Sequence, residues 1–228
     1  HFFPSEKMWF LITRNRPKAT QALIEAMRAS GEIPKVSVMV DGPMYNIAWP
    51  THWNIHNSFG HLEMQRGLNE LLRMYPKEKF YGILTDTHRP QTPVWATKLS
   101  QAADSWKIAI CNTTKNRMNP RTGLRRVTTM AIGGELVRAI GWIWLDRVCH
   151  LYGDDAWEDI GYAIDAMKYL PDVVILALLK REGEVEIDAN HHRKWKGKSY
   201  MATDAAAFYE WKAKEFPALI EKLKAFKC

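Results

Sequence analysis

Cysteine is scarce in this chain: Cys111, Cys149 and Cys228 are the only three in 228 residues, and no two form a Cys-x-x-Cys pair. A disulfide framework and a zinc ribbon are therefore excluded, and the thiols read as reduced. Long apolar runs are missing as well. No stretch approaches the roughly 18 uninterrupted apolar residues of a membrane span. Phe2 and Phe3 are followed at once by Pro4, Ser5, Glu6 and Lys7, too short an apolar run for a signal peptide. No internal repeat, low-complexity tract or clear linker interrupts the chain. The expectation is a soluble, cytoplasmic protein without a membrane span, its oligomeric state open.

What is present is a large apolar fraction, 46%, against 25% charged residues, enough to bury a substantial core in one α/β domain spanning residues 1–228. The net charge of +7 and an isoelectric point near 9.3 favour anionic partners: a nucleotide diphosphate, a nucleic acid or an acidic membrane surface. Placement says more than total charge. Arg14, Arg16 and Lys18 stand at the first strand-to-helix turn; Lys115, Arg117, Arg121, Arg125 and Arg126 fall in one loop; Arg193, Lys194, Lys196 and Lys198 form a third group. Such loops suit a phosphate-lined cleft, and each taken singly also suits a solvated surface.

Strand and helix signals alternate. Strands are expected at 8–13, 36–40, 80–84, 107–111 and 173–179, and helices at 18–30, 60–75 and 94–105, with Gly31 stopping the first helix. Residues 112–126 read as a long loop, rich in Asn, Thr, Gly and Arg, of the kind that closes over a ligand. A short helix is expected in 132–141 and another beginning near Asp155, whose acidic first turn suits the positive helix end. Residues 185–198 read as a charged strand or loop. Residues 203–227 read as a helix or helix pair capped by Thr203 or Asp204, with Phe208, Trp211, Phe216, Leu219, Ile220 and Leu223 as its buried stripe. The alternation predicts a three-layer, Rossmann-type mixed, mostly parallel sheet with a C-terminal helical segment. Ligands of such sheets lie beyond the carboxyl ends of the strands, where Thr13-Arg14, Asp41-Gly42 and Asp86-Thr87-His88 all fall.

The stretch from Gly82 to Trp95 carries the most chemistry. Its apolar strand runs into Asp86-Thr87-His88-Arg89-Pro90, and Pro90 and Pro93 are expected to take the chain out of the sheet. A carboxylate and an imidazole two residues apart on a strand edge can point the same way, a chelating geometry, and equally can belong to a polar turn. Trp142 and Trp144 offer flat rings for a sugar or base, or simply core packing.

Phe10-Leu11-Ile12-Thr13-Arg14-Asn15-Arg16-Pro17, Val40-Asp41-Gly42, Gly67-Leu68-Asn69, Asp86-Thr87-His88-Arg89-Pro90 and the run from Gly133-Gly134-Glu135 to Tyr152-Gly153-Asp154 together resemble, in order, the GT-A glycosyltransferases of the family-2 type. The resemblance covers roughly residues 8–175. It implies a nucleotide-sugar-binding half over 8–111, an acceptor and catalytic half over 112–200, and a C-terminal helix over 201–228. It places Thr13, Arg14, Arg16 and Asp41 at the base and ribose of a nucleotide-sugar donor, with Asn69 beside them. Asp86 and Thr87 fall at the donor diphosphate, and Asp86 and His88 at a divalent metal, Mn²⁺ or Mg²⁺, that screens it. Asp154 or Asp155 matches the carboxylate that deprotonates the acceptor hydroxyl. Arg125 and Arg126 become phosphate contacts, and Trp142 and Trp144 an acceptor floor.

The pattern also departs from that family. Where two or three consecutive acidic residues are common, this chain has Asp86-Thr87-His88, and a hard cation prefers more oxygen ligands. A further ligand would have to come from Asp188, His191 or His192. The small size and basic charge resemble bacteriophage-type enzymes that glycosylate modified DNA bases, so DNA is one acceptor expected beside polysaccharides and small molecules. The alternative class is a nucleotide or nucleic-acid binding protein without activity on a degenerate GT-A scaffold.

Overall fold

The computed structural model describes residues 8–58, 63–113, 127–178 and 198–227. Its strands are β1 (Met8–Thr13), β2 (Val36–Asp41), β3 (Asn54–Ser58), β4 (Phe80–Thr85), β5 (His88–Pro90), β6 (Ile108–Asn112), β7 (Met130–Gly133) and β8 (Met167–Ala177). The helices are α1 (Pro17–Ala29), α2 (Met64–Met74), α3 (Trp95–Ala102), α4 (Gly134–Ile140), α5 (Gly153–Ala163), α6 (Lys198–Lys214) and α7 (Phe216–Lys227). The strands form one sheet in the order β3-β2-β1-β4-β7-β6-β8-β5. Neighbours β3, β2, β1 and β4 run parallel, β7 runs against both β4 and β6, and β8 is parallel to β6. The sheet is thus mixed and mostly parallel, as its apolar strands predict.

Strand alternation divides the core into two layers. Met8 and Phe10 of β1, with Tyr81 and Ile83 of β4, join Leu68 and Leu71 of α2, Trp157 of α5 and Phe208 of α6 on one face. Trp9 and Leu11, with Phe80 and Leu84, join Leu23 and Met27 of α1 and Trp95 of α3 on the other. Period-two strands with both faces covered give continuous apolar runs such as Met8-Trp9-Phe10-Leu11, all fully buried.

Several elements differ from the sequence expectation. β3 is a polar, half-buried strand, Asn-Ile-His-Asn-Ser, with no apolar alternation to mark it, and it exists because β2 offers it a parallel edge. Instead of leaving the sheet, the chain after Asp86-Thr87 forms β5 at the sheet's far edge, where Pro90 costs no ladder bond to a further strand. β8 starts at Met167, not at 173; the irregularity that holds Pro171 and Asp172, where Cys111 pairs with Leu170 but Asn112 with Val174, breaks the strand signal. α6 starts at Lys198, so neither Thr203 nor Asp204 caps it.

Candidate functional site

The carboxyl ends of β1, β2 and β4 meet in one hydrogen-bonded cluster. At the β1–α1 turn, Asn15 takes a left-handed conformation (φ 52°), which asparagine tolerates, and turns the chain into Pro17 at the first position of α1. This sends Arg14 and Arg16 to different carboxylates. The Arg14 guanidinium pairs with Asp41 at the end of β2 and donates its Nε–H to Oδ2, while Ser58 of β3 donates to Asp41 Oδ1 at 3.0 Å. Arg16 Nη1 donates to Asp86 Oδ1 at 3.2 Å, and Thr13 Oγ1 donates to Asp86 Oδ2 at 3.0 Å. Gly42, at φ 124°, lies so close to Asn15 that a Cβ there would stand 3.0 Å from the Asn15 side-chain oxygen. A side chain at position 42 would therefore crowd the β1–α1 turn.

Tyr45 ties the cluster from beneath. The Arg16 backbone N–H donates to its phenol oxygen at 3.0 Å, and that phenol lies 3.2 Å from Thr13 Oγ1. With the Thr13 proton directed at Asp86, the Tyr45 hydroxyl donates to Thr13, giving a directed chain from Arg16 N–H through Tyr45 and Thr13 to Asp86. Burial raises the Tyr45 pKa, so the phenol stays protonated as this chain requires. Arg89 Nη1 caps the turn, donating to the carbonyls of Asp86 at 2.8 Å and His88 at 2.7 Å. Arg14 pairs with Asp41 and Arg16 with Asp86, while the Arg89 charge is offset by Asp86 and Glu25, so these side chains stand close to charge balance. Tyr45, Ser58 and Arg89 were not singled out from sequence; their roles come from partners 17 to 32 positions away in sequence, or from a local turn.

His88 faces elsewhere. Residues 86–87 form a turn, not an extension of β4, so the alternation that would align Asp86 with His88 is lost. Asp86 bonds toward β1, whereas His88 Nδ1 accepts the Thr85 N–H at 3.2 Å and its Nε2 lies 3.2 Å from Thr129 Oγ1 beside β7. The ring is 3% exposed, and burial, helped by the Arg89 charge, pushes its pKa down to about 4. It is neutral, with Nδ1 an acceptor and the proton on Nε2, leaving no lone pair for a cation. No group of three or more His, Cys, Asp or Glu side chains suited to a metal occurs among the described residues. In this arrangement Asp86 and His88 do not fit a shared metal. Asp188, His191 and His192 lie outside the described residues, as do Arg125, Arg126 and the other basic residues of 114–126. Thr87 shares a hydroxyl contact with Thr85 at 2.9 Å, and its carbonyl accepts the Leu178 N–H.

The remaining candidate residues stand on other elements. Asn69 of α2 is a backbone clamp: its Oδ1 accepts the N–H groups of Ile143 at 2.9 Å and Trp144 at 3.1 Å, and its Nδ2 donates to the Trp144 carbonyl at 2.8 Å. Its side chain is thereby committed to the 143–144 backbone and not to the cluster around Asp86. Trp144 lies in the core at 5% exposure, packed over Gly153, and Trp142 packs on Trp157 at 5.2 Å and Trp211 at 6.3 Å. Trp144 is therefore closed in the core, and Trp142, half-buried, packs between α5 and α6. Asp154 and Asp155 open α5; Asp155 is buried, and Asp154 is half-buried with Oδ1 accepting the Asp155 N–H at 3.1 Å.

A cavity of about 1050 Å³ opens between β3, α2 and the 146–149 segment, lined among others by Ser58, Arg66, Asn69, Arg147 and Cys149. Ser58 belongs both to its wall and to the Asp41 cluster, so the cavity adjoins the Asp41 carboxylate. Among the described residues no helix is long and apolar enough to cross a membrane.

No family model matches the sequence, and no curated protein matches it. Solved structures do match in fold. GalNAc-T7 with UDP, GalNAc and Mn²⁺ superposes with a TM-score of 0.58 at 7% identity, over 76% of this chain and 44% of that one. TarS 1-349 from S. aureus in complex with UDP gives 0.56 at 12% identity, over 76% and 60%. Glucosyl-3-phosphoglycerate synthase from Mycobacterium tuberculosis, in complex with Mn²⁺, UDP and phosphoglyceric acid, gives 0.57 at 9% identity, over 90% and 79%. The chain has the GT-A glycosyltransferase fold, and it spans less than two thirds of the length of the GalNAc-T7 and TarS chains.

Proposed function

We propose that this chain transfers a sugar from a nucleotide diphosphate donor to an acceptor hydroxyl. The observation that carries the reading is the convergence of three strand ends, Thr13-Arg14-Arg16, Asp41 and Asp86, with both carboxylates paired to arginines, at the carboxyl edge of a GT-A sheet. That edge is where sheets of this class place ligands. Solved structures of the same fold contain UDP and Mn²⁺, which supports a nucleotide donor.

In this reading Asp41, oriented by Arg14 and Ser58, accepts hydrogen bonds from the ribose or base. Arg16 and the β1–α1 turn face the diphosphate, whose negative charge grows as the bond from its oxygen to sugar C1 breaks. Arg125 and Arg126 are proposed as further phosphate contacts. The acceptor hydroxyl attacks C1 from the opposite side, with inversion, and its proton passes to the carboxylate of Asp154 or Asp155. With Asp86 and His88 engaged by protein partners, the diphosphate charge falls to Arg16 in this reading. The +7 net charge keeps a polyanionic acceptor, DNA included, within the reading. Duplex binding that weakens steeply with salt would support that acceptor, and salt-insensitive binding would count against it.

The test is a screen of nucleotide-sugar donors, with mass spectrometry of the released nucleotide and calorimetry of nucleotide binding, with and without Mn²⁺. Transfer or donor turnover that Arg16→Ala abolishes is the expected result. Nucleotide binding with no turnover of any donor would instead support a binding protein on the same scaffold.

A further inference from the structure

Asp204 lies seven residues into α6, so its carboxylate serves no need of its own helix end. It is 2% exposed and accepts three successive backbone N–H groups: Cys149 on Oδ1 at 2.9 Å, and His150 at 2.9 Å and Leu151 at 2.8 Å on Oδ2. Consecutive N–H groups converging on one anion form a nest, in which the carboxylate satisfies three backbone donors at once. The same turn is fastened from the other side, where the Cys149 carbonyl accepts the Gln65 N–H of α2 at 3.2 Å. One residue later Tyr152 takes a left-handed conformation (φ 66°), and its ring stacks on Phe208, one turn along α6 from Asp204, at 5.0 Å and 20°. Immediately beyond stand Gly153, pressed against Trp144, and the Asp154-Asp155 pair.

We infer that Asp204 is a positioning residue for sugar transfer: through the nest it holds the 149–152 turn, and so sets where the α5 carboxylates meet the acceptor. The inference rests on the glycosyl-transfer reading above and extends it to the C-terminal helix, which touches none of the donor-side residues Thr13, Asp41 and Asp86 in the bonds described. A strained non-glycine residue directly before the first helical turn is stable only where its surroundings over-determine it. Asp204 and Phe208 supply that constraint.

The experiment compares the unmodified chain with Asp204→Ala and with Lys212→Met, which cuts the α6-to-α5 ion pair of Lys212 with Asp159 (2.7 Å) and the Lys212 contact over the Phe208 ring but leaves the hydrogen bonds of the nest intact. Asp204→Ala is expected to lower kcat by about 10- to 100-fold, the scale of a misplacement near 1 Å. Its donor KM and nucleotide Kd should stay within about twofold, because the donor cluster is untouched. Amide exchange at Cys149, His150 and Leu151 should speed up while β1 and β4 keep their protection. Lys212→Met should lower Tm but keep kcat near that of the unmodified chain, separating lost position from lost stability. An equal kcat loss in both variants, a donor KM rising in step with the kcat loss, or unchanged exchange in Asp204→Ala would overturn the inference. If the unmodified chain turns over no donor, the transfer reading fails and takes this role with it; if it is active and Asp204→Ala is equally active, only this role fails.

Discussion

Replacing Asn69 with Ala separates a clamp from a donor contact. The Asn69 side chain makes three hydrogen bonds to the backbone of Ile143 and Trp144, between 2.8 and 3.1 Å, from a position 8% exposed. Alanine removes all three and leaves two N–H groups and one carbonyl facing an apolar layer. Each such bond contributes about 1 kcal/mol net, and each buried polar group left unmade costs about 1–3 kcal/mol. Partial relaxation and water entry beside the cavity reduce the sum, so the expected loss is about 2–4 kcal/mol. Urea unfolding followed by circular dichroism reads this as a lower midpoint at unchanged slope. If the chain binds a nucleotide as proposed, calorimetry with that nucleotide, at a temperature where the variant is folded, should return the parent affinity within about twofold. A stability change below about 0.5 kcal/mol, or a nucleotide Kd that rises tenfold in a folded variant, would refute the clamp and return Asn69 to the donor site.

Three further outcomes are expected. His88, held neutral with a pKa of about 4, gains its proton at about 6.5 when the chain unfolds. Its contribution to stability is therefore complete above pH 6.5 and declines by roughly 3 kcal/mol as pH falls to about 4, because the unfolded state binds more protons across that window. Subtracting the urea-unfolding pH profile of His88→Asn should isolate this slope, and identical profiles would show that the imidazole is not desolvated. At Gly153 an added Cβ would stand 2.0 Å from Trp144 Cε2, so Gly153→Ala should cost about 1–3 kcal/mol by overpacking, seen as a lower Tm; an unchanged Tm would mean the 143–153 packing is looser than described. Asp154→Asn or Asp155→Asn should cut the transfer rate by about 10²- to 10⁴-fold with little change in donor KM, and full activity in both would remove the proposed base from α5.

Sequence alone was enough for the αβ alternation and for the direction of the first strands. Met8–Leu11 and Tyr81–Leu84 are buried on both faces, so their apolar character is continuous and visible without partners. Likewise Thr13 and Asp41 were legible as strand ends because breakers follow them closely, Asn15 and Pro17 after one and Gly42 and Pro43 after the other, and Asp86 because the apolar run of β4 stops just before it. β3 was not legible, because a polar edge strand owes its existence to the neighbour it pairs with. Nor was β8 legible before 173, where the register break at Pro171 interrupts the pattern.

Residue type and spacing thus determined which side chains lie at the carboxyl edge, since that depends on local periodicity and chain breaking. Only the tertiary structure decided what each does there. It turned His88 toward Thr129 and Asp86 toward Arg16, and it committed Asn69 to the 143–144 backbone. It also aimed Asp204 at amides more than 50 positions away in sequence. A hydrogen bond needs its partner within about 3 Å and in line, and contacts between such distant positions are set by how the layers pack.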